Sequence, residues 1–383
     1  MTHVIIGGGI AGTTAAEELR KRDPRAVITL VSQEQHPLYS RVLLPHYLKG
    51  KIPRERVFLK KESWYEEHGI EWLRGISVVA LNARNNYVAL SDGRELPYDR
   101  LLIATGGDVR MLDGDVRGVS YLRTLDDADH LDQLLGELPA GGRAGIYGGG
   151  FIACEYLNLF AHFGRPMTIA FRGPHFWSGT LESEVGEFLN AHLREQGVEV
   201  RPGERFLKTV GDKVLEGFAT DAGTYPCGVL GIGIGIKLED TWMREAGLKS
   251  GSGILCDEYL RTNLPDVYAA GDVAQYFDPR FGRHLCVGNW MNAQMQGRAV
   301  ARNMAGEASP FSLVSSYATQ ALGLEIIAVG DTLRDHADEV RVIGSKEEGI
   351  GQHFLQEGKL IGAVLLGRNT DRAWVTKEIG ERC

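Results

Sequence analysis

The opening segment, His3-Val-Ile-Ile-Gly-Gly-Gly-Ile-Ala-Gly12, constrains this chain more than any other stretch. An apolar run of strand character, Val4 to Ile6, leads into Gly7-x-Gly9-x-x-Gly12, and an Ala-rich segment of helical composition follows from Ala15 to Arg22. In that context Gly7 makes a tight turn and Gly9 lets the backbone approach a pyrophosphate. Gly12 lets the helix pack closely on the strand. The pyrophosphate would rest on unpaired N–H groups at the positive end of the helix. A glycine-rich turn alone can be only a turn; the strand before it and the helix after it give the nucleotide reading its weight.

The motif begins within a few residues of Met1, so neither a signal nor a transit peptide is expected. No run approaches the roughly 18–20 apolar residues of a membrane span. The net charge of −8, from 42 basic and 50 acidic residues, argues against nucleic acid or an anionic membrane as partner. The five cysteines, Cys154, Cys227, Cys256, Cys286 and Cys383, are scattered and odd in number. A disulfide framework or zinc site is therefore not expected, and the reading is a reduced, cytoplasmic protein.

Along the chain, Val27-Ile-Thr-Leu-Val31 reads as a second strand. An acid just beyond such a strand accepts hydrogen bonds from ribose hydroxyls, which assigns that role to Glu34; the alternative is a solvated turn acid. Arg41 stands among apolar neighbours in Pro37–Gly50, either snorkelling over packing or offering a forked donor to a ligand. Residues 75–96 are β-rich, with a hairpin signal at Asp92-Gly93. Leu101-Leu-Ile-Ala104-Thr105-Gly106 reads as a buried strand ending in small residues, suited to close approach of a ligand or to a plain turn.

A second strand, Gly-turn and helix follows at Ala144-Gly-Ile-Tyr-Gly148-Gly-Gly150-Phe-Ile-Ala153-Cys-Glu155, about 140 residues after the first. Pro139–Gly142 before it suggests a domain boundary. Two such motifs imply two nucleotides bound in series, with electrons moving between them. The strand after this second turn ends in Phe171-Arg172, with no acid. Arg172 could pair with a 2′-phosphate; either NADPH is accepted or an NAD site is built differently. Cys227–Ile236 is expected to return the chain to the first domain. Val267-Tyr-Ala-Ala-Gly271-Asp272 is a short strand that puts a carboxylate at a sheet's carboxyl end, where ligands bind; Asp272 could also cap the following helix. A helix containing Gln296-Gly297 runs to about Met304, and an alternating tail follows from residue 309.

These motifs, in this order and spacing, resemble the FAD-dependent pyridine nucleotide oxidoreductase superfamily with two dinucleotide-binding domains. Tyr39-x-Arg41-x-x-Leu44 and the Trp290…Gln296-Gly297 helix are similar to its rubredoxin, ferredoxin and nitrite reductase flavin-domain branch. The stretch Leu30–Gly50 resembles flavin subunits of multi-subunit enzymes, of the phenylglyoxylate dehydrogenase and tungsten-dependent aldehyde oxidoreductase types. The resemblance implies an α/β fold of two Rossmann-like domains plus a small C-terminal α+β domain. The FAD domain would comprise residues 1–112 and 240–308, the NAD(P) domain 113–239 and an interface domain 309–383. It implies that Gly7, Gly9, Ala11, Gly12 and Glu34 hold FAD with Gly271, Asp272 and Gln296, and that Arg41, Ala104, Thr105 and Gly106 lie near the flavin. Gly148, Gly150, Ala153 and Arg172 would take the nicotinamide dinucleotide, with Glu155 beside its ring. In related reductases a lysine in the Arg-x-x-Leu segment pairs with that glutamate; here His46 is the nearest candidate.

No cysteine precedes Cys154 and no C-x-x-C occurs, so a dithiol or sulfenic relay is not expected. Cys154 and His175 read as packed residues. With hydride passing between nicotinamide and flavin, and no iron–sulfur ligand set in the chain, a partner would carry the metal centre. The favoured reading is an FAD-dependent NAD(P)H reductase or flavin subunit serving an iron–sulfur or rubredoxin-like partner. The alternatives are a self-sufficient NAD(P)H oxidase and a non-catalytic FAD-binding signalling protein.

Overall fold

The computed structural model describes residues 1–114, 116–238 and 241–381. The chain forms two compact units. One comprises Met1–Val42, Pro53–Asp108 and Lys237–Leu313; the other comprises Leu43–Ile52, Val109–Ile236 and the chain from Val314 onward.

The first unit is built on a five-stranded parallel sheet whose central strand is Thr2–Ile6. Val27–Ser32 and then Ile70–Arg74 lie on one side of it, and Arg100–Ile103 and then Val267–Ala269 on the other. The central strand is almost entirely buried, as a parallel sheet requires when both its faces are covered. The helix after the glycine turn spans Ile10–Arg22, starting several residues before the Ala-rich segment. The expected hairpin is present, pairing Tyr87–Leu90 with Glu95–Pro97.

The second unit repeats the plan. Ala144–Tyr147 is the central strand of five, flanked by Met167–Phe171 and Glu199–Pro202 on one side and by Val229–Ile232 and Val119–Ser120 on the other. The Cys227–Ile236 segment thus supplies a core strand of this sheet, hydrogen-bonded to Ala144–Tyr147, rather than only a return path. Pro139–Gly142 is a loop inside the unit, after the helix Leu125–Glu137. That helix starts with a reciprocal capping box between Thr124 and Asp127.

The tail forms a five-stranded antiparallel sheet in the order Ser316–Ala321, Leu324–Gly330, Lys359–Leu366, Gly349–Gln356, Glu339–Ser345. The helix Asp371–Gly380 follows it. Cys383 lies outside the described residues.

In each parallel sheet the chain leaves the central strand toward one side and later returns to the other. That reversal opens a crevice at the carboxyl end of the central strand, where ligands bind in open α/β sheets. Both glycine turns sit there.

The helix Trp290–Met304 packs on Ile10–Arg22 through Gly297, where an added Cβ would stand 2.4 Å from the Ala11 carbonyl oxygen. Gly297→Ala should therefore destabilise the protein by about 1–3 kcal/mol in denaturant titration. Gly136→Ala, in open space near the end of Leu125–Glu137, should instead be neutral or stabilise by up to about 1 kcal/mol.

Candidate functional site

Gly7 has φ +114°, and a Cβ on it would lie 2.2 Å from the Ala104 carbonyl oxygen. Only glycine lets the central strand turn this close to its neighbour. The Gly7 and Ala104 N–H groups donate to the Val31 and Ile6 carbonyls at 2.8 and 2.7 Å, which fixes the turn. Gly12 is equally required, since its Cβ would fall 2.0 Å from the Gly7 carbonyl oxygen. Gly9 differs, because nothing lies within 4 Å of its Cβ position. It caps a helix with no side-chain cap and no acid in its first turn, so the first N–H groups are left for an anion.

A groove beside this turn is lined by Gly8, Gly9, Ser32, Glu34, Tyr39 and Arg41, among others. The Glu34 carboxylate accepts from the Tyr39 hydroxyl at 2.5 Å and from Arg41 at 2.7 Å. Arg41, expected near the flavin, pairs with Glu34 in this structure. Ala104, with Thr105 and Gly106 after it, borders Gly7. Gly271, at φ +86°, donates its N–H to Gln296 Oε1 at 2.7 Å and places Asp272 directly after it. Ala11 abuts both Gly271 and Gly297. Gln296 Nε2 and Asn292 Oδ1 are fully buried without a protein partner. The glycine cradle, the open Gly9 helix end, the acid at the second strand's end and the orphaned amide atoms fit FAD.

The second unit builds a parallel cradle. Gly148 has φ +132°, and its Cβ would stand 2.1 Å from the Gly233 carbonyl oxygen. Gly150 again has open space at its Cβ position and caps an acid-free first turn, that of Phe151–His162. Ala153 is fully buried in that turn. A cleft of about 250 Å³ opens here, lined by Gly148, Gly149, Phe171, Arg172, Trp177 and Ser178, among others. Its donors and open glycine cap fit the pyrophosphate of a second dinucleotide. His175 is buried under the next helix, where a Cβ on Gly186 would strike its ring, in keeping with a packed residue.

Glu155 lies in the same helix as Ala153 and Cys154. The first strand of the C-terminal sheet covers that helix: Tyr317 meets Phe151 edge-on, the Asn158 side-chain amide donates to the Gln320 carbonyl, and the Thr319 hydroxyl donates to Glu155 at 3.3 Å. Burial pushes the Glu155 carboxyl above its ordinary value, and the Lys49 ammonium and the Thr319 bond partly offset that. Burial lowers Lys49, and the Glu155 charge opposes this. Lys49 thus supplies positive charge that favours the Glu155 carboxylate. His46, three residues earlier in the short helix Leu44–Leu48, accepts at its backbone carbonyl from the Lys51 N–H at 3.0 Å, and its ring makes no hydrogen bond among the described residues. Lys49 was missed because a lysine after Leu48 reads as a plain helix-end charge. Its membership of Leu43–Ile52, which packs with the second unit, is not visible locally.

Two outcomes are expected. Glu34→Ala should loosen FAD at least about tenfold, because hydrogen bonds to a charged group contribute roughly 1.5–3 kcal/mol; flavin retained through gel filtration measures this. Lys49→Met removes the positive charge that favours the Glu155 carboxylate. Glu155 should then hold its proton to higher pH, and the acid limb of the pH profile for flavin reduction should move upward. Lys49→Arg should leave that limb near its original position.

The match to known proteins runs through these cradles. The family model described as pyridine nucleotide-disulphide oxidoreductase covers residues 1–297. The chain is 31% identical over 349 residues to the ferredoxin–NAD(+) reductase component of the p-cumate 2,3-dioxygenase system of Pseudomonas putida, covering 90% of this chain and 84% of that protein. It is also 31% identical over 387 residues to the ferredoxin reductase component of chlorobenzene dioxygenase from Cupriavidus sp. (strain PS12), covering 100% and 93%. Among solved structures, the covalent putidaredoxin reductase–putidaredoxin complex superposes with a TM-score of 0.92 at 27% identity, covering 100% of this chain and 93% of that one. With both nucleotide cradles formed and the match spanning them, the chain belongs to the pyridine nucleotide-disulphide oxidoreductase family.

Proposed function

We propose that this protein is the FAD-dependent reductase of an electron-transfer system, oxidising NAD(P)H and serving an iron–sulfur or rubredoxin-like partner. In this reading it is the flavin subunit of a larger, cytoplasmic complex. The observation that carries the proposal is the pair of dinucleotide cradles, together with thiols that, among the described residues, are unsuited to redox work. Cys154, Cys227 and Cys256 are buried and unpaired, and burial raises all three thiols well above their usual value. Cys286, less buried, is pushed up to about 11. Thiolates are the nucleophiles of disulfide chemistry, so these groups are inert near neutrality. The ferredoxin reductase components to which the chain is similar point to a protein acceptor. No helix among the described residues is long and apolar enough to cross a membrane.

Bound FAD would supply the change from hydride transfer to single-electron transfer. The chain's part is to hold and exclude. The Gly9 and Gly150 helix ends would each hold a pyrophosphate, and Glu34 would hold a ribose. Glu155 and Lys49 place a carboxyl and an ammonium of opposed, burial-shifted acidity together. Burial raises the Glu155 carboxyl and lowers the Lys49 ammonium, so each is brought closer to the other's range.

Anaerobic stopped-flow mixing of the FAD-loaded protein with NADH or NADPH tests the proposal. Flavin bleaching within seconds by either coenzyme is expected, with electrons passing onward to an added iron–sulfur protein. Bleaching by dithionite alone would overturn it. Rapid steady turnover with oxygen and none with a protein acceptor would favour an oxidase instead.

A further inference from the structure

We propose that Thr319, held in register by Asn158, is a positioning residue that fixes the Glu155 carboxylate by a hydrogen bond from a strand 164 residues further along the chain. The helix Phe151–His162 presents Phe151, Glu155 and Asn158 on one face, because residues three, four and seven apart line up on an α-helix. The strand Ser316–Ala321 runs along that face. Alternation sends Tyr317 and Thr319 to one side of the sheet, and Ala318 and Gln320, both exposed, to the other. Tyr317 meets Phe151 edge-on with 5.7 Å between ring centroids, and the Thr319 hydroxyl donates to Glu155 Oε1 at 3.3 Å.

Side chains set the register of these two elements. Ser316–Ala321 is the edge of its sheet, paired only with Leu324–Gly330 among the described strands, so one row of its backbone groups is open. Asn158 takes both kinds of group. Its amide nitrogen donates to the Gln320 carbonyl at 2.7 Å, and its amide oxygen accepts from the Leu322 N–H at 3.0 Å. His192, from the helix Ser183–Glu195, places Nε2 3.0 Å from the Ala321 carbonyl oxygen. Leu322 itself stands at φ +50°, in the left-handed region that few residues other than glycine occupy. The end of the strand is thus gripped from two helices, and Thr319 has little freedom to slide along Glu155.

Few groups around Glu155 carry charge. Lys49 comes from the segment Leu43–Ile52 of the same unit and favours the carboxylate. The short helix Leu44–Leu48 adds His46, and the strands Ala144–Tyr147 and Val229–Ile232 carry no carboxylate, ammonium, guanidinium or imidazole. Burial raises the Cys154 thiol far above neutrality and the Tyr317 phenol to about 12, so both stay uncharged. A hydroxyl that donates to a carboxylate stabilises its charged form. Thr319 therefore acts in the same direction as Lys49, and against the burial that its own strand imposes. The bearing of this contact on the coenzyme rests on the reductase reading, in which Glu155 lies beside a nicotinamide ring.

The test is a pH titration of the FAD-loaded, full-length protein by infrared spectroscopy, with the protonated-carboxyl band of Glu155 identified by its loss in Glu155→Gln. Thr319→Val keeps the branched shape and removes the donor, so the Glu155 midpoint should rise by roughly one pH unit. Thr319→Ser restores the hydroxyl and should return the midpoint close to its wild-type position. Made in an Asn158→Ala background, where the strand is released, Thr319→Val should move the midpoint by less than roughly half as much, since the two side chains act through one contact. An unmoved midpoint in Thr319→Val, the same rise in Thr319→Ser, or a full-sized rise in the Asn158→Ala background would overturn the inference. Flavin bleaching separates this from the reductase reading. A raised midpoint in Thr319→Val with no bleaching of wild type by either coenzyme sinks that reading and leaves the positioning role standing. Fast bleaching with an unmoved midpoint sinks the positioning role alone.

Discussion

Two backbone carbonyls, those of Ala104 and Gly233, stand where a side chain on Gly7 or Gly148 would have to be. The whole arrangement depends on these approaches. A strand that ends against its neighbour's carbonyl can continue only through a residue with no Cβ and a positive φ. The turn that results aims the start of the next helix at the edge of the sheet. Unpaired helix N–H groups then converge on the crevice where strand order reverses, and an anion can be held with backbone alone. Because the partners are backbone atoms, no repacking of side chains could accommodate a larger residue there.

The two cradles share this geometry and differ in what surrounds it. In the first, an acid, a tyrosine and an arginine form a charged, hydrogen-bonded cluster at the end of the second strand. In the second, that place is apolar and is followed by an arginine. The second cradle also carries Glu155, whose setting depends on the C-terminal sheet. By covering Phe151–His162, the strand Ser316–Ala321 removes water from the glutamate and makes its charge costly. A carboxylate so placed needs a cation, and Lys49 supplies one. The C-terminal strands thus set the polarity around one carboxyl.

Much of this was legible in the residues. Both glycine turns, their strands and helices, and the Asp92-Gly93 hairpin follow from short-range pattern and composition. The register of Leu44–Leu48 was not legible in the same way. His46 and Lys49 are both basic residues near the end of a short helix, and nothing local says which one is coupled to a glutamate more than a hundred residues away. The role of Cys227–Ile236 was likewise hidden, because an apolar, glycine-rich run looks the same as a core strand or as a crossing segment.

Sequence by itself determined the two turns and what they can hold, because φ > 0 and the absence of a Cβ are properties of single residues in a local context. Tertiary structure alone decided that Lys49 answers Glu155 and that Arg41 is taken by Glu34. It also decided that Phe171 is buried while Arg172 is exposed on the cleft wall. Those outcomes rest on burial and on charge–charge distance, and both are set by segments that meet only when the sheets have formed.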